Sequence, residues 1–119
     1  FIPLFGSTWN LPATVGLEDA IALLLWGERW RAPRAAQRGL IDAAVAAADA
    51  EPAIAAFIDE RVARRPEPRN RHMVEWNAAA EVSVARARQR IAALPPVCQP
   101  VYGDALELLI AGARRSGSY

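Results

Sequence analysis

Apolar residues recur at helical spacing in the first third of the chain. From residue 17 they fall at i, i+3, i+4, i+7 and i+8, as Leu17, Ala20, Ile21, Leu24 and Leu25. These positions share one face of an α-helix. We therefore predict a helix from Leu17 that ends at Gly27. A shorter helix opens at Ala32-Pro33, where proline is tolerated in the first turn, and ends at Gly39.

Longer helices are predicted further along. One follows Asp49, a candidate N-cap, with Pro52 in its first turn. Its apolar side chains form one stripe, namely Ile54, Phe57, Ile58 and Val62. Residues 64–71 carry two prolines and four arginines, which is typical of an exposed connection. The short apolar stretch from Leu40 to Val45 is compatible with either a strand or an extended loop.

Two helices are expected to close the chain. Beyond the connection, apolar residues recur every three or four positions from Met73 to Leu94, which predicts about six helical turns ended by Pro95-Pro96. The pattern returns in a last helix at Val101, Ala105, Leu108, Leu109 and Gly112. Because the connection between the two helices is short, we predict that they pack as an antiparallel hairpin.

Composition narrows the class of protein. The 119 residues are 53% hydrophobic and 23% charged, the balance of a globular domain or part of one. No apolar run reaches the ~18 residues that cross a bilayer, and the single cysteine, Cys98, has no internal partner. We therefore expect a cytoplasmic protein. A net charge of +1 argues against nucleic-acid binding.

Four fragments of the first 45 residues resemble a known family. They are Ile2-Pro3-Leu4-Phe5-Gly6-Ser7-Thr8 with Leu11, Val15 and Gly16; Gly16-Leu17-Glu18-Asp19-Ala20; Leu24 to Arg29; and Ala32 through Gly39-Leu40-Ile41-Asp42 to Val45. Their order and spacing resemble the crotonase, or enoyl-CoA hydratase/isomerase, family. The helices and proline turn beyond Met73 are also similar to the hydratase portion of multifunctional fatty-acid oxidation proteins, in which a dehydrogenase follows.

The resemblance implies a fold and a reaction class. Residues 1–65 correspond to the C-terminal, mainly α-helical part of the ββα-spiral crotonase domain, and residues 66–119 to a linker and helical hairpin. Family members act on acyl-CoA thioesters through an oxyanion hole and, in hydratases, two glutamates. Because those groups precede Ile2 in the family, we expect residues before Phe1, no catalytic side chain in this segment, and no activity from it alone.

Three residues are candidates for the acyl-CoA pocket: Leu4, Gly6 and Trp26. For Trp26 a core or interface position is the competing interpretation, and for the stretch around Leu4 it is a structural turn that feeds a helix. Leu4 and Ser7 replace glycines of the family pattern, and Asn10 replaces an arginine. These departures motivate an alternative, a non-catalytic crotonase-like helical scaffold or oligomerisation module.

The arginines and the single histidine bear on which ligands and partners to expect. All fourteen basic residues are arginines, whose planar fork suits phosphates such as those of coenzyme A. Two groups stand out, Arg29, Arg31, Arg34 and Arg38, and Arg86, Arg88 and Arg90. A solvated polar face is the favoured interpretation, since the family's CoA-binding groups are lysines. His72 has no ligand partner at metal spacing. We expect no metal or cofactor, acyl-CoA as substrate, and the rest of the enzyme chain and further copies of it as partners.

Overall fold

The computed structural model describes residues 6–64 and 76–115. All regular structure within these ranges is helical, which confirms the mainly α class. The helices are α1 (Ser7–Val15), α2 (Leu17–Leu24), α3 (Ala32–Gln37), α4 (Ala50–Ala63), α5 (Ala78–Ala92) and α6 (Gln99–Arg115), with a 3₁₀ turn at Ala47–Asp49. Residues 40–45 form no strand, so the loop alternative holds there.

The described residues divide into two units. Residues 6–29 and 76–115 make up the first unit, which contains α1, α2, α5 and α6, and residues 30–64 make up the second, with α3 and α4. The predicted boundary between residues 65 and 66 lies outside the described residues. In the first unit the buried apolar side chains come from all four helices and include Ala20, Ile21, Val84, Ile91, Leu106 and Leu109.

Helix α1 is an element that the apolar pattern did not predict. It packs against α6 and α2, and it buries Pro12, Ala13 and Val15. Gly16 separates it from α2. Its backbone has φ 88° and ψ 163°, a conformation that residues with a side chain rarely adopt. The spacing from Leu17 onward therefore revealed α2 alone, because α1 is short and carries proline and two threonines among its apolar residues.

Helix α5 is shorter than its apolar pattern predicted. It has 15 residues, about four turns, and it begins at Ala78. Asn77 has an extended backbone, and its side-chain oxygen accepts a hydrogen bond from the Ala80 N–H at 3.1 Å. This cap satisfies one of the free N–H groups of the first turn. Trp76 thus precedes the helix, and Met73 lies outside the described residues.

The predicted hairpin of α5 and α6 is confirmed. Arg88 pairs with Glu107 at 2.8 Å, while Gln99, at the start of α6, donates to the carbonyl oxygen of Ala92 at the end of α5, at 3.3 Å. Arg114, near the end of α6, lies over the ring of Trp76, just before α5. Sequence positions therefore rise along one helix as they fall along the other, which is the antiparallel arrangement.

The buried face of α6 differs from the prediction. Leu106 is 1% exposed and Ile110 is also buried, whereas Leu108 and Val101 are each 43% exposed. Helix α6 contacts α1, α2 and α5, so its buried arc is wide and includes Leu109. Three predicted positions, Ala105, Leu109 and Gly112, are confirmed as buried, so the prediction was wrong only for Val101 and Leu108 and missed Leu106 and Ile110.

Helix α4 begins after Asp49, as predicted. The prediction of an Asp49 cap was wrong, and the predicted apolar stripe is not buried. The Asp49 side chain makes no capping hydrogen bond, because the chain enters α4 through the 3₁₀ turn. No residue of α4 is buried. Its apolar stripe is present but exposed, from Phe57 at 40% to Val62 at 80%.

Candidate functional site

Trp26 is held at the end of α2 by groups from α5 and α6. The chain turns sharply after it, since Gly27 has φ 64°. The guanidinium carbon of Arg90 lies 4.0 Å from the centre of the indole ring, within cation–π range. The Tyr102 ring stacks with it at 5.8 Å between centroids and an interplanar angle of 18°. The half-buried indole is therefore contacted by side chains from two further helices.

A groove of about 210 Å³ lies beside this indole, between α2 and α5. Helix α2 contributes Glu18, Ile21 and Ala22, and Trp26 follows it. Helix α5 contributes Ser83, Arg86, Ala87 and Arg90. Ile21 and Ala87 are buried, whereas Glu18, Arg86 and Arg90 are exposed, so the groove has an apolar floor and a charged rim.

The predicted pocket residues that the structure describes, Gly6 and Trp26, are not brought together in this groove. Leu4 lies outside the described residues. Gly6 immediately precedes α1 with φ 73° and ψ 12°, and its carbonyl oxygen accepts hydrogen bonds from the N–H groups of Trp9 and Asn10. That is the helix-starting turn offered as the competing interpretation. Trp26 lines the groove and Gly6 does not.

The arginines of both groups are exposed, as a solvated polar face predicts, and several of them also contact specific partners. Arg90 covers Trp26, Arg88 pairs with Glu107, and Arg34 lies 4.8 Å from the centre of the Trp30 ring. No pattern in the sequence indicated the contacts among Trp26, Arg90 and Tyr102, because Trp26 is far along the chain from the other two residues. It did place Arg86 and Arg90 at i and i+4, which share a helix face.

A second arginine-centred cluster lies in the unit formed by residues 30–64. Arg61 of α4 pairs with Asp42 at 2.9 Å, and its guanidinium carbon lies 4.9 Å from the centre of the Phe57 ring. Asp42 belongs to the loop before α4, whereas Arg61 and Phe57 belong to α4 itself. Arg61 thus joins the loop to α4, and Arg64 with Glu60 adds an i, i+4 pair at the end of that helix.

Within residues 6–64 and 76–115, no three His, Cys, Asp or Glu side chains are grouped so that they could hold a metal ion. None of the described helices has the length and apolar character needed to cross a membrane. Cys98 is a free, half-buried thiol.

Comparison of the chain with protein-family models, curated proteins and solved structures finds no match. The enzyme class stays a prediction that starts from the sequence.

Proposed function

We propose that the chain is a segment of an enoyl-CoA hydratase/isomerase-type enzyme, a lyase or isomerase of fatty-acid metabolism that acts on acyl-CoA thioesters. Its catalytic glutamates and oxyanion hole precede Phe1. One observation carries the proposal: the glycines with positive φ coincide with glycines of the resembling fragments. They are Gly6, Gly16, Gly27 and Gly39, with φ of 73°, 88°, 64° and 74°.

The coincidence has a physical meaning. A positive φ is open to glycine and strained for most other residues, so a glycine held at such a position preserves the direction of the chain. The helices α1, α2 and α3 lie between these glycines. Of the remaining glycines in the described ranges, Gly103 and Gly112 lie within α6 and do not share the positive φ. This pattern supports the proposal that the first 45 residues follow the helix–turn path of that family.

In the proposed enzyme this segment has a supporting role. Oxyanion-hole donors and a pair of acid/base carboxylates would stabilise the enolate-like charge and activate water. Both sets would come from residues upstream of Phe1. The helices described here would cover the acyl-CoA site and supply contacts to the rest of the chain and to further copies of the enzyme.

The test uses the full reading frame. We expect the full-length protein to hydrate crotonyl-CoA or to isomerise a 3-enoyl-CoA, and residues 1–119 alone to do neither. Changing the upstream glutamate nearest Ile2 to Gln should lower kcat by at least about 10²-fold, the usual size of general acid–base contributions. Inactivity of a folded full-length protein in both assays, or turnover by purified residues 1–119, would refute the proposal.

A second candidate is a non-catalytic crotonase-like scaffold or oligomerisation module. The exposed stripe of α4 favours it, because Ile54, Phe57, Ile58 and Val62 form an apolar surface that nothing in the described residues buries. Ser7 and Asn10, where the family has Gly and Arg, also favour it.

The scaffold candidate predicts that oligomer formation depends on α4. The paired change Phe57→Ser with Ile58→Ser should dissociate a full-length oligomer, as measured by sedimentation. Val82→Ser on α5, a comparably exposed valine, is the matched control and should leave assembly intact. Clear enzymatic turnover would eliminate this candidate in favour of the first.

A further inference from the structure

The groove between α2 and α5 combines an apolar floor with two arginines. Its floor consists of Ile21, Ala22 and Ala87, and the indole of Trp26 forms a wall. With about 210 Å³ it is smaller than the ~300–1,000 Å³ of pockets for drug-sized ligands. A small molecule with a short apolar body therefore fits its size and lining.

The wall beside the floor is contacted by side chains of two further helices. Trp26 is contacted by the stacked Tyr102 ring and by the guanidinium of Arg90 over its own ring. Contacts from two different helices reduce the freedom of the indole. A ligand that packs beside it consequently loses less affinity to the ordering of that side chain.

The rim favours a single negative charge. Arg86 and Arg90 lie one helical turn apart on α5 and line the same groove. Arg86 makes no ion pair with any other side chain of residues 6–64 or 76–115. Glu18 is the single acidic group of the lining, so two positive charges and one negative charge give a local net charge of +1. A dianion would be opposed by Glu18 more strongly than a monoanion.

We propose that this groove binds a small amphipathic carboxylate, with the carboxylate on Arg86 and Arg90 and its short apolar body on Ile21, Ala22 and Ala87. Arginine matches a carboxylate with two parallel N–H donors, and such charge-assisted hydrogen bonds are stronger than neutral ones. The proposed site depends only on α2, α5 and Trp26, and it stands or falls independently of the enzyme assignment.

The experiment is a chemical-shift titration of the ¹⁵N-labelled 119-residue chain with hexanoate. Saturable shifts should centre on the amides of Ala22 and Ala87. Arg86→Gln should raise Kd about tenfold or more, since a hydrogen bond to a charged group contributes about 1.5–3 kcal/mol. Arg88→Gln removes the same charge from the same helix outside the groove, and it should leave Kd within about twofold.

A second variant tests the space rather than the charge. Ala22→Leu keeps both arginines but fills the floor, and it should abolish the shifts while the circular dichroism spectrum stays unchanged. Non-saturable shifts, shifts centred elsewhere, or equal Kd values for the Arg86 and Arg88 variants would overturn the proposal.

Three related compounds fix the ligand chemistry. Acetate lacks the apolar body and 1-hexanol lacks the charge, so both should bind at least about tenfold more weakly than hexanoate. Hexyl phosphate tests the alternative anion and should also bind more weakly, because of Glu18. Tighter binding of hexyl phosphate or of hexanol would overturn the assignment to a carboxylate.

Discussion

Gly112 of α6 lies directly against the backbone of Thr8 in α1. A Cβ built on Gly112 would approach the Thr8 carbonyl oxygen most closely and would lie 2.9 Å from its carbonyl carbon. Pro12 has no N–H with which to donate to that carbonyl four residues earlier. The α1–α6 contact thus combines a helix carbonyl that lacks its usual donor with a glycine that leaves room for the other helix to approach.

This close approach predicts the effect of Gly112→Ala. Alanine favours a helix by up to about 1 kcal/mol over glycine, but here the added methyl group meets backbone that cannot rotate away. We expect a net loss of about 1–3 kcal/mol in the free energy of unfolding, measured by urea denaturation. Gly103→Ala is the matched control, since it lies in the same helix with no atom near the added Cβ. It should be neutral or stabilising, and an equal loss in both variants would refute the close-packing account.

The core of the first unit predicts a contrast between two truncations. Leu109 is 0% exposed, whereas Ile58 of α4 is 52% exposed. Leu109→Ala should lower the free energy of unfolding by about 2–5 kcal/mol through lost burial and a cavity. Ile58→Ala should lower it by less than about 1 kcal/mol in the 119-residue chain. Comparable losses, measured by denaturant titration, would show that α4 is covered in solution.

The cap at the start of α5 predicts a graded series. Asn77→Ala removes the acceptor for the Ala80 N–H and should cost about 1 kcal/mol. Asn77→Asp and Asn77→Ser keep a side-chain oxygen and should remain near the parent stability. Amide hydrogen exchange at Ala80 gives a local readout, with faster exchange in the alanine variant only. An unchanged exchange rate at Ala80 in Asn77→Ala would show that the Asn77 side chain does not protect this amide.

The cation–π contact at Trp26 predicts a measurable coupling. In a double-mutant cycle, Trp26→Leu and Arg90→Gln should couple by about 0.5–1 kcal/mol in unfolding free energy. The control cycle pairs Trp26→Leu with Arg88→Gln, because Arg88 has a different partner in Glu107. Its two changes should add within about 0.3–0.5 kcal/mol. Equal coupling in both cycles would point to a general charge effect instead.

Much of the helical framework was readable from the sequence. The spacing from Leu17, the proline at position 33 and the run after Asp49 identified α2, α3 and α4, and the two last apolar patterns identified the α5–α6 hairpin. These features depend on local rules, namely the helical period of apolar residues and the tendency of glycine and proline to end helices. Local rules act over a few residues and can be read without knowing the fold.

Less of the candidate site could be predicted from the sequence. Trp26 was a candidate from its position in the resembling fragments, but Arg90 and Tyr102 became its partners only through the packing of α2, α5 and α6. The spacing of Arg86 and Arg90 places them on one helix face. Nothing in the sequence, however, predicts that this face lies across a groove from Ile21 and Ala22. Contacts between residues far apart in sequence depend on tertiary packing, which periodicity does not encode.

The sequence by itself determined that this chain is helical, where most of its helices end, and which glycines turn it. Tertiary structure decided which face of α6 is buried, that Gly112 must lack a side chain, and that an apolar groove with two arginines lies beside Trp26. The physical reason is the range of the interactions. Backbone conformation and side-chain period act within one or two helical turns, whereas burial and charge pairing depend on which helices pack together.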